Sequence, residues 1–299
     1  EKAIRDSGIA APLFITQNDG TVAEASQARR LPVYSFASGA TNSMRGAAYL
    51  SGLSDAMVID VGGTTTDVGQ LKNGFPREAN SVVKVGGVRT LFRMPDLLSI
   101  GLGGGSHVQL DPLKVGPISV GYRLLRDGIA FGGKQLTTTD VAIAAGVLTL
   151  GDRAKVAHLD AATCKKVFAE AARLSEEAID RMKTEAGDVP LIAVGGGAFL
   201  IPEKLPGVSK VIHVQHGDCA NAVGAAIAQV SGECDQIFKD MTRNEALAAA
   251  QGIANDRAVA AGAERKTLST IESEDMPLAY LPGNSVRVRV RVVGDVAGS

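Results

Sequence analysis

A chain of 299 residues with 45% hydrophobic and 21% charged residues can bury a full core without disulfide or metal staples. Its formal net charge of -1 supplies no overall field for nucleic acid or anionic lipid, so neither is expected as a partner. Cys164, Cys219 and Cys234 form no CxxC pair and suit reduced packing thiols in a cytosol, and no apolar run approaches the roughly 18 residues that cross a bilayer.

The opening stretch EKAIRDSGIAAPLF has no signal-peptide layout and no initiator Met, and it starts inside a helical pattern. The expectation is a cytoplasmic protein, present here as a fragment of something longer. Next, APLFIT reads as a strand, TVAEASQARRL as a helix, PVYSFASG as a strand and ATNSMRGAAYLSG as a small-residue helix. That βαβα order predicts a mostly parallel sheet with helices on its faces.

The order returns as VPLIAVGGGAFL, SKVIHVQHG and DCANAVGAAIAQVSG. Pro12 and Pro190, Gly39 and Gly217, Gly46 and Gly224, and Ala47 and Ala225 all stand 178 positions apart. A constant offset points to an internal duplication, against two unrelated βα units. On this reading residues 1–53 close a first copy and residues 54–234 form a second. The counterpart of the Gly62–Gly63 turn falls before residue 1. Residues 235–299 then supply a long helix, IFKDMTRNEALAAAQGIANDRAVAAGAERK, and the strand SVRVRVRVVGD. Alternation puts Val286, Val288 and Val290 on one face and Arg287, Arg289 and Arg291 on the other, as in an edge strand guarded by charge or an acid-binding face.

The chemistry lies in the glycine clusters. In VIDVGGTTTDVGQL, Gly62 and Gly63 let backbone N–H groups approach an anion, Thr64, Thr65 and Thr66 add hydroxyls, and Asp67 can hold magnesium or orient an attacking oxygen. The alternative is a tight hairpin with an Asx-type hydrogen bond from Asp67. Gly195, Gly196 and Gly197 directly follow a buried strand, where open α/β sheets bind ligands, or where a strand crosses tightly into a helix. Gly103, Gly104 and Gly105 precede Ser106 and His107, so that loop can carry an imidazole toward a cleft as a catalytic group, or hold a structural histidine. Asp111 and Lys114 are weaker candidates, and the spacing of His213 and His216 does not put both rings on one strand face. Arg45 can reach phosphate or pair with a carboxylate. No GxSxG, HExxH or basic-aromatic nucleic-acid pattern is present.

Together these motifs resemble the hydantoinase A/oxoprolinase proteins, within the actin, Hsp70 and sugar-kinase group of ATPases. PLFITQNDGTV is similar to the segment before the family's central domain, VIDVGGTTTDVGQL to its MGGTSTDV-type motif, and SIGLGGGSHVQLD with LKVGP to its GAGGGS-to-VGP stretch. GGKQLTTTDVAIAAG, LIAVGGGAFLIP and YLPGNSVRVRVRVVGD resemble its later motifs, whereas PISVGYRLLRDGIAF stands where the family has PGPACYG. The resemblance implies a duplicated α/β, actin-like ATPase fold of two ribonuclease-H-like halves, the chain carrying the end of the first and all of the second. It implies ATP and Mg2+ as cofactors, with the hairpin from Gly62 to Asp67 on phosphate, Asp67 on the metal and Gly195 to Gly197 on adenosine. The implied reaction is ATP-dependent hydrolysis of a cyclic amide or imide such as a hydantoin or 5-oxoproline. The implied partners are the small ring substrate, the absent N-terminal segment and a hydantoinase B-type subunit. Ketone carboxylation, small-molecule phosphorylation and a nucleotide-gated interaction module are the alternatives on the same scaffold.

Overall fold

Apolar runs in the middle of the chain are buried on both sides, which is what a central strand between two helical layers requires. The computed structural model describes residues 2–79, 84–85, 87–89, 92, 94–278 and 284–298. Positions 1 and 280–283, at the start of the opening helix and of the motif YLPGNSVRVRVRVVGD, lie outside the described residues.

In chain order come α1 (Lys2–Asp6), β1 (Phe14–Thr16), β2 (Val22–Glu24), α2 (Ala25–Arg30), α3 (Ser38–Ser51), β3 (Ala56–Val61), β4 (Thr66–Lys72), β5 (Phe75–Pro76), β6 (Lys84–Val85), β7 (Val88–Arg89) and β8 (Leu97–Ile100). The hairpin β9 (Ser106–Leu110) and β10 (Leu113–Ser119) leads to α4 (Leu124–Asp127), α5 (Thr138–Ala144) and α6 (Ala161–Met182). The rest is β11 (Val189–Val194), β12 (Val208–His213), α7 (Ala220–Ala226), β13 (Val230–Phe238), α8 (Arg243–Ala260), β14 (Ser269–Pro277) and β15 (Val286–Gly294).

The chain divides into two compact units, Gly39–Ala226 and Glu1–Ser38 with Ile227–Ser299. These boundaries are drawn by compactness and fall at other positions than the ends of the sequence repeat at 53 and 234.

In the unit Gly39–Ala226, a six-stranded sheet runs β12-β11-β3-β4-β5, with β8 also on β4. β11 is parallel to β3 and β12, and β3 and β4 form an antiparallel hairpin. Met57, Ile59, Val61, Leu191 and Ala193 face one core with α5 and α6, while Ala56, Val58, Ile192 and Val194 face another with Met44 and Ala47 of α3 and Ala220 of α7. In α6, Asp160 caps the N-terminus by accepting from Thr163 N, and Cys164, Val167, Ala171, Ala178, Ile179 and Met182 bury one helical stripe.

In the other unit, a five-stranded sheet runs β1-β2-β13-β15-β14. α8 lays Ala246, Ala250 and Ala254 on Val286, Val288, Val290 and Val292 of β15, while Ala258 packs with Val22, Val230 and Ala263. Its start is set by a capping box in which Thr242 and Glu245 bond each other's backbone N–H.

Several sequence readings are corrected here, among them TVAEASQARRL, whose Val22–Glu24 forms the strand β2 ahead of the helix α2. PVYSFASG is no strand: Pro32 opens a 3-10 turn over Pro32–Ser35, and Asn18 ties it by donating to Val33 O at 2.9 Å and accepting from Ala37 N at 2.8 Å. The helix in DCANAVGAAIAQVSG ends at Ala226, because Val230 onward pairs with β15 in β13. The C-terminal helix begins only at Arg243, since Ile237 and Phe238 are also in β13. The Val/Arg strand is central rather than an edge: β15 lies between β13 and β14, and its arginines meet Asp235, Glu233 and Glu272 on those neighbours. Among the cysteines, Cys164 and Cys234 are buried and Cys219 is exposed, so only the first two pack. Among the described residues, no helix is long and apolar enough to cross a membrane.

Candidate functional site

The β3–β4 ladder ends at the pair Val61 and Thr66, leaving residues 62–65 as a loop closed by Gly62 N donating to Thr65 O at 2.9 Å. Gly63, Thr64 and Thr65 are exposed at its crest. Among the described residues, the N–H groups of these three make no hydrogen bond within the protein. A run of free amides on a glycine turn is an anion-binding concavity.

Both other glycine clusters clasp this loop. Gly104 N donates to Gly62 O at 3.0 Å and Gly105 N to Gly63 O at 2.7 Å. A Cβ at Gly103 would stand 2.7 Å from Gly62 O and Thr64 N, so only glycine permits that approach. From the other side Gly197 N donates to Val61 O at 2.7 Å, and a Cβ on Gly195 would lie 2.4 Å from Asp60 Oδ1. Packing therefore accounts for Gly103, Gly195 and Gly197. It does not account for Gly63 or Gly196, where a Cβ would meet nothing within 4 Å.

Below the loop, Asp60 and Asp67 are direct partners in the antiparallel register and so share one sheet face. Asp60 is half-buried: burial raises the pKa of its carboxyl, a hydrogen bond from Ser43 opposes the rise, and the charge of Asp67 adds to it. Ser99 of β8, opposite Asp67 in register, donates its hydroxyl to Asp67 Oδ1. Asp60, Ser43 and Ser99 were not singled out in the sequence. Asp60 was legible, because positions 60 and 67 are symmetric about the loop and must pair once the hairpin is drawn.

The remaining candidates separate. Thr66 is fully buried and its Oγ1 donates to Leu102 O at 2.7 Å, holding the Gly103 loop rather than facing outward. Ser106 is buried and its Oγ accepts from Gly103 N at 2.9 Å, while His107 lies half-buried on the opposite face of β9. Asp111 and Lys114 are exposed at the β9–β10 turn, and His213 and His216 are exposed at the end of β12. Arg45 sits 3.8 Å over the Phe75 ring and donates to Gly74 O at 2.7 Å. In the second TTTD string, Thr138 and Thr139 donate to the carbonyls of Gly103 and Gly104, and buried Asp140 accepts from Ala130 N and Thr137. The same four letters thus make a loop crest at one place and a buried helix cap at another.

The donors present fit a nucleotide phosphate with its cation. Free amides and the Thr64 and Thr65 hydroxyls suit phosphate oxygens, and a carboxylate pair suits a hard divalent ion. Among the described residues, no group of three or more His, Cys, Asp or Glu is arranged to hold a metal by itself.

The hydantoinase/oxoprolinase family matches residues 1–189. The chain belongs to the hydantoinase/oxoprolinase family. No curated protein matches it in sequence. Among solved structures, acetone carboxylase in its nucleotide-free form superposes with a TM-score of 0.67 at 16% identity, covering 99% of this chain and 54% of that one. The ATP-dependent caprolactamase from Pseudomonas jessenii superposes with a TM-score of 0.61 at 16% identity, covering 98% of this chain and 54% of that one. The fold of this hydantoinase/oxoprolinase chain is that of these proteins, and it is mixed α/β as expected from the sequence. The chain spans about half the length of the solved structures it matches.

Proposed function

We propose that this chain is part of an ATP-dependent enzyme that hydrolyses a cyclic amide or imide, with the loop at 62–65 on the nucleotide's phosphates. The observation that carries the reading is the loop crest: three uncommitted N–H groups and a Gly63 that packing does not require, above a carboxylate pair. Family membership supports the reaction class.

In this reading the amides of Gly63, Thr64 and Thr65 bind phosphate oxygens, with the Thr64 and Thr65 hydroxyls beside them. Asp67, with Asp60, holds Mg2+. Gly196 leaves room for a ribose or ring to lie against backbone at the end of β11. When bound, Mg-ATP supplies a phosphoryl group that makes a ring carbonyl electrophilic toward water. His107 takes no part in phosphate binding here, because its strand face is opposite the one Ser106 turns to Gly103. The substrate, a hydantoinase B-type subunit and the division of the chain into two ribonuclease-H-like copies are part of the same proposal.

Ketone carboxylation is the second reading. Superposed proteins named for acetone carboxylation and for caprolactam hydrolysis share this fold, so the scaffold supports either. Incubation of the full-length protein with Mg-ATP and hydantoin, 5-oxoproline or caprolactam, following ADP and ring-opened product, tests the first reading. ADP formed only with acetone and bicarbonate would replace it with the second.

A further inference from the structure

Each carboxylate of the pair at the hairpin's base carries one serine hydroxyl. Ser43 of α3 bonds Asp60 and Ser99 of β8 bonds Asp67. Ser43 is buried between helices, so packing alone explains a small residue there. Ser99 is different. It is exposed on a strand, where β-branched residues fit better, so strand packing does not account for a serine there. Among the described residues, its bond is also the only side-chain hydrogen bond that Asp67 makes.

The placement of Ser99 adds a second argument. β8 joins the sheet through β4, with Thr66 opposite Ile100 and Asp67 opposite Ser99. The chain then runs directly into Gly103, Gly104 and Gly105, which clasp the loop crest. One short segment therefore holds both the phosphate loop and the carboxylate beneath it. An aspartate on a strand otherwise keeps rotational freedom about its terminal torsion, and a single bond to Oδ1 removes it while leaving Oδ2 uncommitted.

We infer that Ser99 is a positioning residue, whose hydroxyl fixes the Asp67 carboxylate through Oδ1 so that Oδ2 is presented to the nucleotide-bound cation. The inference rests on reading the hairpin as a nucleotide-phosphate site. Its action is on the geometry of a ligand, in the way that hydrogen-bonding partners orient carboxylates around metals generally.

Electron paramagnetic titration of Mn2+ in the presence of ADP tests it on the full-length protein. Ser99→Ala is expected to weaken Mn2+ binding on the order of 10-fold, the usual effect of losing such a partner. Ser99→Thr, which keeps the hydroxyl at an exposed position, is expected to restore it. Urea unfolding is expected to be alike in all three proteins. Equal Mn2+ affinity in Ser99→Ala and wild type would overturn the inference while leaving the site intact. So would equal weakening by Ala and Thr, since the hydroxyl would then be irrelevant. Absence of Mn2+ and ADP binding by the wild-type protein would instead overturn the underlying site reading and this inference with it.

Discussion

Ser43 and Asn221, which stand 178 positions apart, meet where α3 crosses α7, with Asn221 Nδ2 donating to Ser43 Oγ at 3.4 Å. The offset between them is the one that separates the paired prolines and glycines of the sequence, and the contact is one that the proposed duplication would place between matching positions. The glycines beside them lie at the same offset. A Cβ on Gly46 would lie 1.9 Å from Ala220 O, and one on Gly224 would lie 1.8 Å from Asn42 O. Because Ser43 also bonds Asp60, this crossing supports the carboxylate pair from behind.

Gly46→Ala should therefore reverse the usual sign of a glycine-to-alanine change in a helix. Alanine ordinarily gains about 0.5–1 kcal/mol in a helix interior. At Gly46 the new methyl must displace backbone, and overpacking of that kind costs about 1–3 kcal/mol or more. Gly252 of α8 has nothing within 4 Å of a built Cβ, so Gly252→Ala is expected to stabilise. Urea unfolding of the two variants checks the opposite signs.

The Asp60 carboxyl holds its proton above the ordinary value of 3.8, chiefly through burial. Between that value and the raised one, the native chain retains a proton that the unfolded chain has released. The contribution of Asp60 to the stability of the metal-free protein should thus fall as pH rises through this window and level off above it. Asp60→Asn should remove that slope. Urea midpoints in chelator across an acid-to-neutral pH series measure it, and an unchanged slope in the variant would assign the effect elsewhere.

The hairpin and the buried strands β3 and β11 were legible in the sequence, because each combines an unbroken apolar run with a turn at its end. The glycine clusters stood out in the sequence as candidates, but not as neighbours. That Gly103 to Gly105 and Gly195 to Gly197 clasp one loop depends on long-range pairing that no local pattern encodes. Pro32–Ser35 and β15 failed for opposite reasons. The first has strand-like composition but is held as a turn by Asn18, from another segment. The second has an edge-like arginine face whose acidic partners lie on β13 and β14.

That arginine face makes its own prediction. Arg291 is buried against Asp19 and Glu272, whereas Arg287 pairs with Asp235 with half of its side chain exposed. Arg291→Met should cost about 1–3 kcal/mol by removing a charged partner from the half-buried carboxylates of Asp19 and Glu272, and Arg287→Met less than about 1 kcal/mol, as surface pairs do. Chemical unfolding of both variants distinguishes the two positions.

Thr138 lies outside the phosphate loop yet should matter to it. Its buried Oγ1 donates to Gly103 O at 2.5 Å and Gly104 O at 2.8 Å, and Gly104 in turn holds Gly62. The near-isosteric Thr138→Val leaves Gly103 O with Ser106 N and Gly104 O with Thr139 N and Oγ1, so it should destabilise by about 0.5–1.5 kcal/mol through the lost hydroxyl bond and weaken ADP binding. Circular dichroism should stay unchanged while both quantities fall.

The central claim, that the 62–65 loop holds a nucleotide's phosphates, is tested most directly by isothermal titration of Mg-ATP into the full-length protein and its Gly63→Val variant. A Cβ at Gly63 meets nothing within 4 Å, so the exposed crest leaves room for a side chain and the variant should fold as wild type while filling the space phosphate needs. The account predicts binding by wild type and a loss of at least about 10-fold, or roughly 1.4 kcal/mol, in the variant. Equal binding by both, or none by the wild-type protein, would contradict it.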